Sequence, residues 1–191
     1  MVLKLRAVTL FIDALMKNID KITSKTPEAA WVLALAVTVA TSALYAATAY
    51  PTVAGGDSAE VVAMAYELGV PHPPGYPLYT LTSHAWTRYI LTFSGDVAYR
   101  CNLLAGLCGG IAAGVLSFIV AKWTGSLAGG LLTGGIYATS KDVWLYSTHG
   151  EVFGLNNLLT AWMLYLTVEY CVDPTKHSVA YQGAFVLGLG S

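Results

Sequence analysis

The sequence predicts an all-α fold, a polytopic membrane helical bundle, on three observations. Of 191 residues, 55% are hydrophobic and only 11% are charged, less than half the charged share of an average soluble domain, about 25%. Apolar runs recur along the chain, and the first of them, 29–50, is uncharged over a length that matches the roughly 20 residues needed to cross a bilayer core. The charged residues gather mainly between these runs. A formal net charge of −1 supplies no basic face, so no nucleic-acid partner is expected.

Residues 1–28 place Leu5, Val8, Ile12, Leu15, Ile19 and Ile22 at helical spacing with Lys4, Arg6, Lys17, Lys21 and Lys25 between them. This pattern predicts a basic amphipathic helix on the membrane surface; Asp13 and Asp20 argue against a transit peptide. The first span is predicted over 29–50. Ala47-Thr48-Ala49 resembles a signal-peptidase site, but the run is longer than a cleavable apolar core, so a retained anchor is expected.

A long loop, 51–100, separates this anchor from a second span over 101–121, in which Asn102 is the one strongly polar side chain. A third span is predicted over 126–140, a fourth over 152–168, and a fifth from 178 to 191. Because the last residue falls inside a span, the chain is expected to be a bundle truncated at its C-terminus, as a fragment or a short form. Gly106, Gly110 and Gly114, then Gly130 and Gly134, repeat every four residues. Such spacing brings helix backbones close where lipid offers no hydrophobic drive. Cys101, Cys108 and Cys171 form no CxxC pair and have no neighbouring His, so they read as small apolar residues.

Orientation follows from the basic residues. With a cytosolic N-terminus, that side holds Lys4, Arg6, Lys17, Lys21, Lys25, Lys122 and Lys176, against Arg88, Arg100 and Lys141 opposite. The imbalance obeys the positive-inside rule. It sends the loops containing Gly55 to Glu60, His72 to Pro77 and Ser147 to Glu151 to the non-cytosolic side.

Those loops carry the candidate chemistry. Asp57-Ser58-Ala59-Glu60 fits a capping box, in which Asp57 caps the first amides and Glu60 reaches back. On a helix running to Leu68, however, Asp57, Glu60 and Glu67 share one face, an acidic stripe that capping does not require. A carboxylate at a helix N-terminus stays ionised, which suits a base that removes a hydroxyl proton. In His72-Pro73-Pro74-Gly75-Tyr76-Pro77 the prolines fix the backbone and Gly75 permits a turn, so His72 is held as a hydrogen-bond donor or proton carrier; a rigid corner alone is the competing reading. Glu151, beside His149, supplies a second acid on the same side. Two acids from separate loops suit acid and base roles or a metal site, and no dense Cys or His cluster supports the metal. Arg100 at the mouth of the second span suits a lipid-borne phosphate or an interfacial anchor. Asn156 and Asn157 suit either ligand binding or hydrogen bonds between helices.

Taken together, Gly55 to Glu60, Glu67 to Val70, His72 to Leu78, Ala98 to Arg100 with Asn102-Leu103, and Gly150 to Phe153 with Leu155 to Asn157 resemble the N-terminal part of GT-C type membrane glycosyltransferases. That family includes the transmembrane protein two-sixty O-mannosyltransferases. The resemblance implies a GT-C bundle whose first lumenal loop contains an amphipathic helix, in the endoplasmic reticulum membrane. It implies transfer of mannose, with inversion, from dolichyl-phosphate mannose to Ser or Thr of secretory-pathway proteins, with no bound cofactor. Asp57 takes the role of base, Glu60 and Glu151 assist, and His72, Tyr76, Arg100, His149 and Asn156 are the donor- and acceptor-binding candidates. A transporter or an inactive scaffold is the rival expectation; transporters of this kind show paired helix interruptions, and neither loop motif recurs.

Overall fold

The computed structural model describes residues 27–92 and 95–190. The amphipathic segment expected over 1–28 lies almost wholly outside them. In chain order the helices are α1 (Pro27–Thr48), α2 (Ser58–Glu67), α3 (Pro77–Ala85), a π-helical turn (Trp86–Ile90), α4 (Val97–Thr124), α5 (Leu127–Thr139), α6 (Lys141–Ser147), α7 (Phe153–Val172) and α8 (His177–Leu189). Among the described residues there is no strand.

Three of these starts have a local cause in the sequence. Pro27 occupies the first position of α1, where its missing amide hydrogen costs nothing. The Asp96 carboxylate accepts the Tyr99 amide at 2.7 Å to open α4, and the Ser126 hydroxyl accepts the Gly129 amide at 3.0 Å to open α5. Gly125, with φ +67°, lets the chain turn sharply between them.

Among the described residues two helices are long and apolar enough to cross a membrane, 28–48 and 97–124. They overlap the first two expected spans, and α4 begins four residues before the expected 101. The remaining expected spans, 126–140, 152–168 and 178–191, fall on α5, α7 and α8. α5 and α8 have 13 residues each, about 20 Å of rise against a hydrocarbon core of about 30 Å. α7 has 20 residues but contains Asn156, Asn157 and Glu169.

α4 is the central helix, packed against α1, α5 and α7. Its glycines make this possible: a side chain at Gly114 would lie 2.7 Å from the Ala34 carbonyl of α1. The second glycine pair faces the same helix from α5, where a Cβ at Gly130 would lie 2.7 Å from the Ser117 carbonyl. The expected close packing is present, since only hydrogen fits at these crossings. Outward faces are apolar too, with Trp31, Val32, Leu35 and Val39 of α1, Leu131, Leu132 and Ile136 of α5, and Phe185 and Leu187 of α8 exposed. Cys101 and Cys108 are buried as expected, whereas Cys171 is exposed near the end of α7.

Candidate functional site

The loops after α1, α2 and α6 meet at one end of the bundle. Asn102, in the second turn of α4 and fully buried, donates from Nδ2 to the Tyr50 carbonyl at 2.7 Å and the Thr52 carbonyl at 3.0 Å. The Tyr50 amide donates to the Thr148 carbonyl at 3.3 Å. These bonds hold the chain leaving α1 against the chain leaving α6. Gly150 completes the junction: a Cβ there would meet Cys101 Cβ at 2.9 Å and Val62 Cγ2 at 3.0 Å.

Asp57 precedes α2 with φ −81° and ψ 0°, and its side chain makes no capping bond. Glu60 does not reach back either, so the capping box suggested by the sequence is absent. Glu60 turns instead to the next loop, where Oε1 accepts the His72 amide at 2.7 Å and Oε2 lies 3.2 Å from His72 Nδ1. The other ring nitrogen, Nε2, faces Asp57 Oδ2 at 3.8 Å. The His72 amide and then its ring hold the Glu60 carboxyl below the usual range. On the inner side of α2, Ser58, Val61, Val62 and Ala65 are buried. The acidic face and the apolar face therefore separate as the helical spacing predicts.

Glu151 comes from the third loop and is buried at 7% exposure. Its Oε1 would lie 3.1 Å from a Cβ at Gly56, whose φ of +72° already favours glycine. No described residue donates a hydrogen bond to this carboxylate. Burial first, and the Asp57 charge second, push its pKa up. His149 is also buried, its ring 4.5 Å from that of Tyr50 and its Nε2 without a hydrogen-bond partner among the described residues. Desolvation pushes its pKa down. The structure thus brings Asp57, Glu60, His72, His149 and Glu151 to one end, and among the described residues no three His, Cys, Asp or Glu side chains are arranged to hold a metal ion.

Tyr76 and Asn156 sit apart from the acids, in the walls of a cleft of about 290 Å³ between the proline corner and α7. Tyr76 adopts left-handed φ 42°, ψ 54° just before α3, and its ring packs edge-on to His72 at 5.6 Å. Arg100 is engaged locally. Nη1 donates to the Thr87 carbonyl at 2.8 Å and the Leu91 carbonyl at 3.3 Å, and Nε to the Asp96 carbonyl at 3.3 Å. It closes the π turn, and among the described residues only its Nη2 arm remains for a phosphate.

Two residues have structural roles that the sequence reading did not assign. Asp96 joins Thr52 Oγ1 at 2.7 Å as well as the start of α4; the Ser94-Gly95-Asp96 cluster before an apolar run was the available signal. Asn102 looked like an intramembrane polar residue, but it is the tie between loops.

Two apolar helices of bilayer length suggest membrane association, and the acid-and-His end gathers Asp57, Glu60, His72, His149 and Glu151. A family model described as the Protein O-mannosyl-transferase TMEM260 N-terminal domain matches residues 57–191. The chain belongs to that family. It is 42% identical over 158 residues to a Mus musculus protein named Protein O-mannosyl-transferase TMEM260, a match covering 81% of this chain and 22% of the relative. A Dictyostelium discoideum protein named Protein O-mannosyl-transferase tmem260 is 33% identical over 142 residues, covering 74% of this chain and 17% of the relative. The chain therefore spans only about a fifth of the length of these curated relatives. No solved structure matches it.

Proposed function

We propose that this chain forms the N-terminal, acid-bearing part of an inverting protein O-mannosyltransferase of GT-C type. The donor is dolichyl-phosphate mannose and the acceptors are Ser or Thr hydroxyls of secretory-pathway proteins. The chain is multi-pass in the endoplasmic reticulum membrane with a cytosolic N-terminus, and the loops with Asp57, His72 and Glu151 face the lumen. Family membership and the names of the relatives support the reaction class. The exposed large apolar side chains on α1, α5 and α8 support a lipid surround.

One observation carries the site: Asp57 is exposed, makes no capping bond, and stands beside a buried second carboxylate. In the reaction the acceptor oxygen attacks C1 of mannose while Asp57 takes the hydroxyl proton. The bond from C1 to the phosphate oxygen breaks, and the lipid phosphate leaves with its electron pair. Glu151, with its raised pKa, assists from the buried side.

The test is Asp57→Asn in a full-length family member carrying these residues, assayed for mannose transfer to an acceptor domain. General-base loss is expected to lower turnover by about 100-fold or more. Unchanged turnover would remove Asp57 from the chemistry.

A further inference from the structure

The contacts of His72 set it apart from an ordinary loop histidine. Glu60 grips it twice, through the backbone amide at 2.7 Å and through Nδ1 at 3.2 Å. These two residues are 12 positions apart and on different elements, α2 and the proline corner. A carboxylate can only accept, so Nδ1 must carry the hydrogen and, in the neutral ring, Nε2 keeps its lone pair. That lone pair faces Asp57 Oδ2 at 3.8 Å, outside the roughly 2.7–3.2 Å of a formed bond but within reach of a small side-chain rotation or one water. The charged and titratable groups around the ring are Asp57, which precedes α2, Glu60 from α2 and Tyr76 from its own loop. The ring is about a third exposed, with 37% of its side-chain surface open to solvent.

We propose that Glu60 is a positioning residue that fixes the His72 tautomer, and that His72 carries the acceptor's proton away from Asp57. The inference rests on Asp57 acting as the base. Once Asp57 holds the hydroxyl proton, its O–H donates to Nε2, and the proton crosses to give an imidazolium. The Nδ1–H of that cation stays on Glu60, and Nε2 releases its proton to water, which restores the neutral ring. No oxidant or further reactant is needed. The arrangement also accounts for the missing capping box, because Glu60 spends both oxygens on His72.

The test is the pH profile of mannose transfer in a full-length family member carrying these residues, for the parent, Glu60→Gln, Glu60→Asp, His72→Gln and the Glu60→Gln/His72→Gln pair. Glu60→Gln keeps an acceptor for the amide but removes the charge beside the imidazolium. It is expected to lower kcat about tenfold, leave KM for the donor within about twofold, and move the acidic limb to lower pH. Glu60→Asp should recover part of the loss. His72→Gln should abolish the limb, and the pair should be no worse than His72→Gln alone. An unmoved limb in both single variants, or fully additive losses, would overturn the relay. Asp57→Asn separates the two readings: if it is inactive while the limb is unmoved in the Glu60 and His72 variants, only the relay fails, and if it is fully active the base assignment fails. Should Glu60→Gln not fold, His72→Gln at an exposed site carries the limb test alone.

Discussion

The two ends of the bundle treat charge in opposite ways. Away from the loops, Lys122 of α4 and Glu169 of α7 form a salt bridge, and the ammonium also lies over the rings of Phe118 and Tyr165 at 5.6 and 5.8 Å. Trp31 of α1 stacks on Phe118 at 4.1 Å, so three helices close around a satisfied pair. At the loop end, among the described residues, Glu151 is buried with no donor and His149 Nε2 is buried without a partner, while Asp57 is left open to solvent. Chemistry of the same kind, acid beside base, is used at one end as a fastening and at the other is held unspent. A buried unpaired carboxylate weakens a fold, a cost that suits the site proposed at that end.

Breaking the fastening should give the largest effect on stability. Lys122→Met leaves Glu169 largely buried and unpaired and is expected to cost about 3 kcal/mol, read from thermal unfolding in detergent. Lys122→Met combined with Glu169→Leu should return most of that loss. In a full-length family member carrying these residues, mannose transfer per folded molecule, if it is the activity as proposed, should stay near the parent value, and a selective loss of transfer would break the contrast between the ends.

A smaller loss is expected at the tie of the loops. Asn102→Ala removes two hydrogen bonds and leaves the Tyr50 and Thr52 carbonyls without that partner, about 1–3 kcal/mol by the same measurement. Transfer should fall more than stability predicts, because the segment leading to Asp57 loses its anchor.

The smallest effect sharpens the comparison by its sign. The folded state raises the Glu151 pKa above its unfolded value, so the folded protein binds the proton more tightly. Stability from this group is present at low pH and is lost as pH climbs from the ordinary Glu range, about 4.3, through the raised value. Glu151→Gln should remove that loss and unfold later than the parent at neutral pH, by less than Asn102→Ala loses. An unchanged or lower unfolding midpoint at neutral pH would show that the burial is not a burden.

Legibility in the sequence followed the range of the interaction. Glycines at every fourth position announced the seams around α4, because close crossing leaves a local signature in spacing. The two bilayer-length helices were likewise written in uncharged runs. The helix bounds were less legible, since apolar composition alone does not report that Ser140 ends α5. At the site, the Asp57 to Glu60 spacing supported capping and an acidic stripe equally well. The partner that decided between them, His72, lies in another loop. Arg100 failed to declare its hold on Thr87 and Leu91 for the same reason: those carbonyls are offered by a π turn that no residue pattern foretold.

The seam between α1 and α4 has one more consequence. With Gly110 against Ser42 and Gly114 against Ala34 and Thr38, the two helices interlock and cannot slide past each other without collision. α1, with 22 residues, rises about 33 Å, slightly more than a hydrocarbon slab of about 30 Å. For a chain seated as proposed, this rod works as a gauge: it sets the altitude of Asp57 at the headgroup layer, where a phosphate tethered to a lipid must wait.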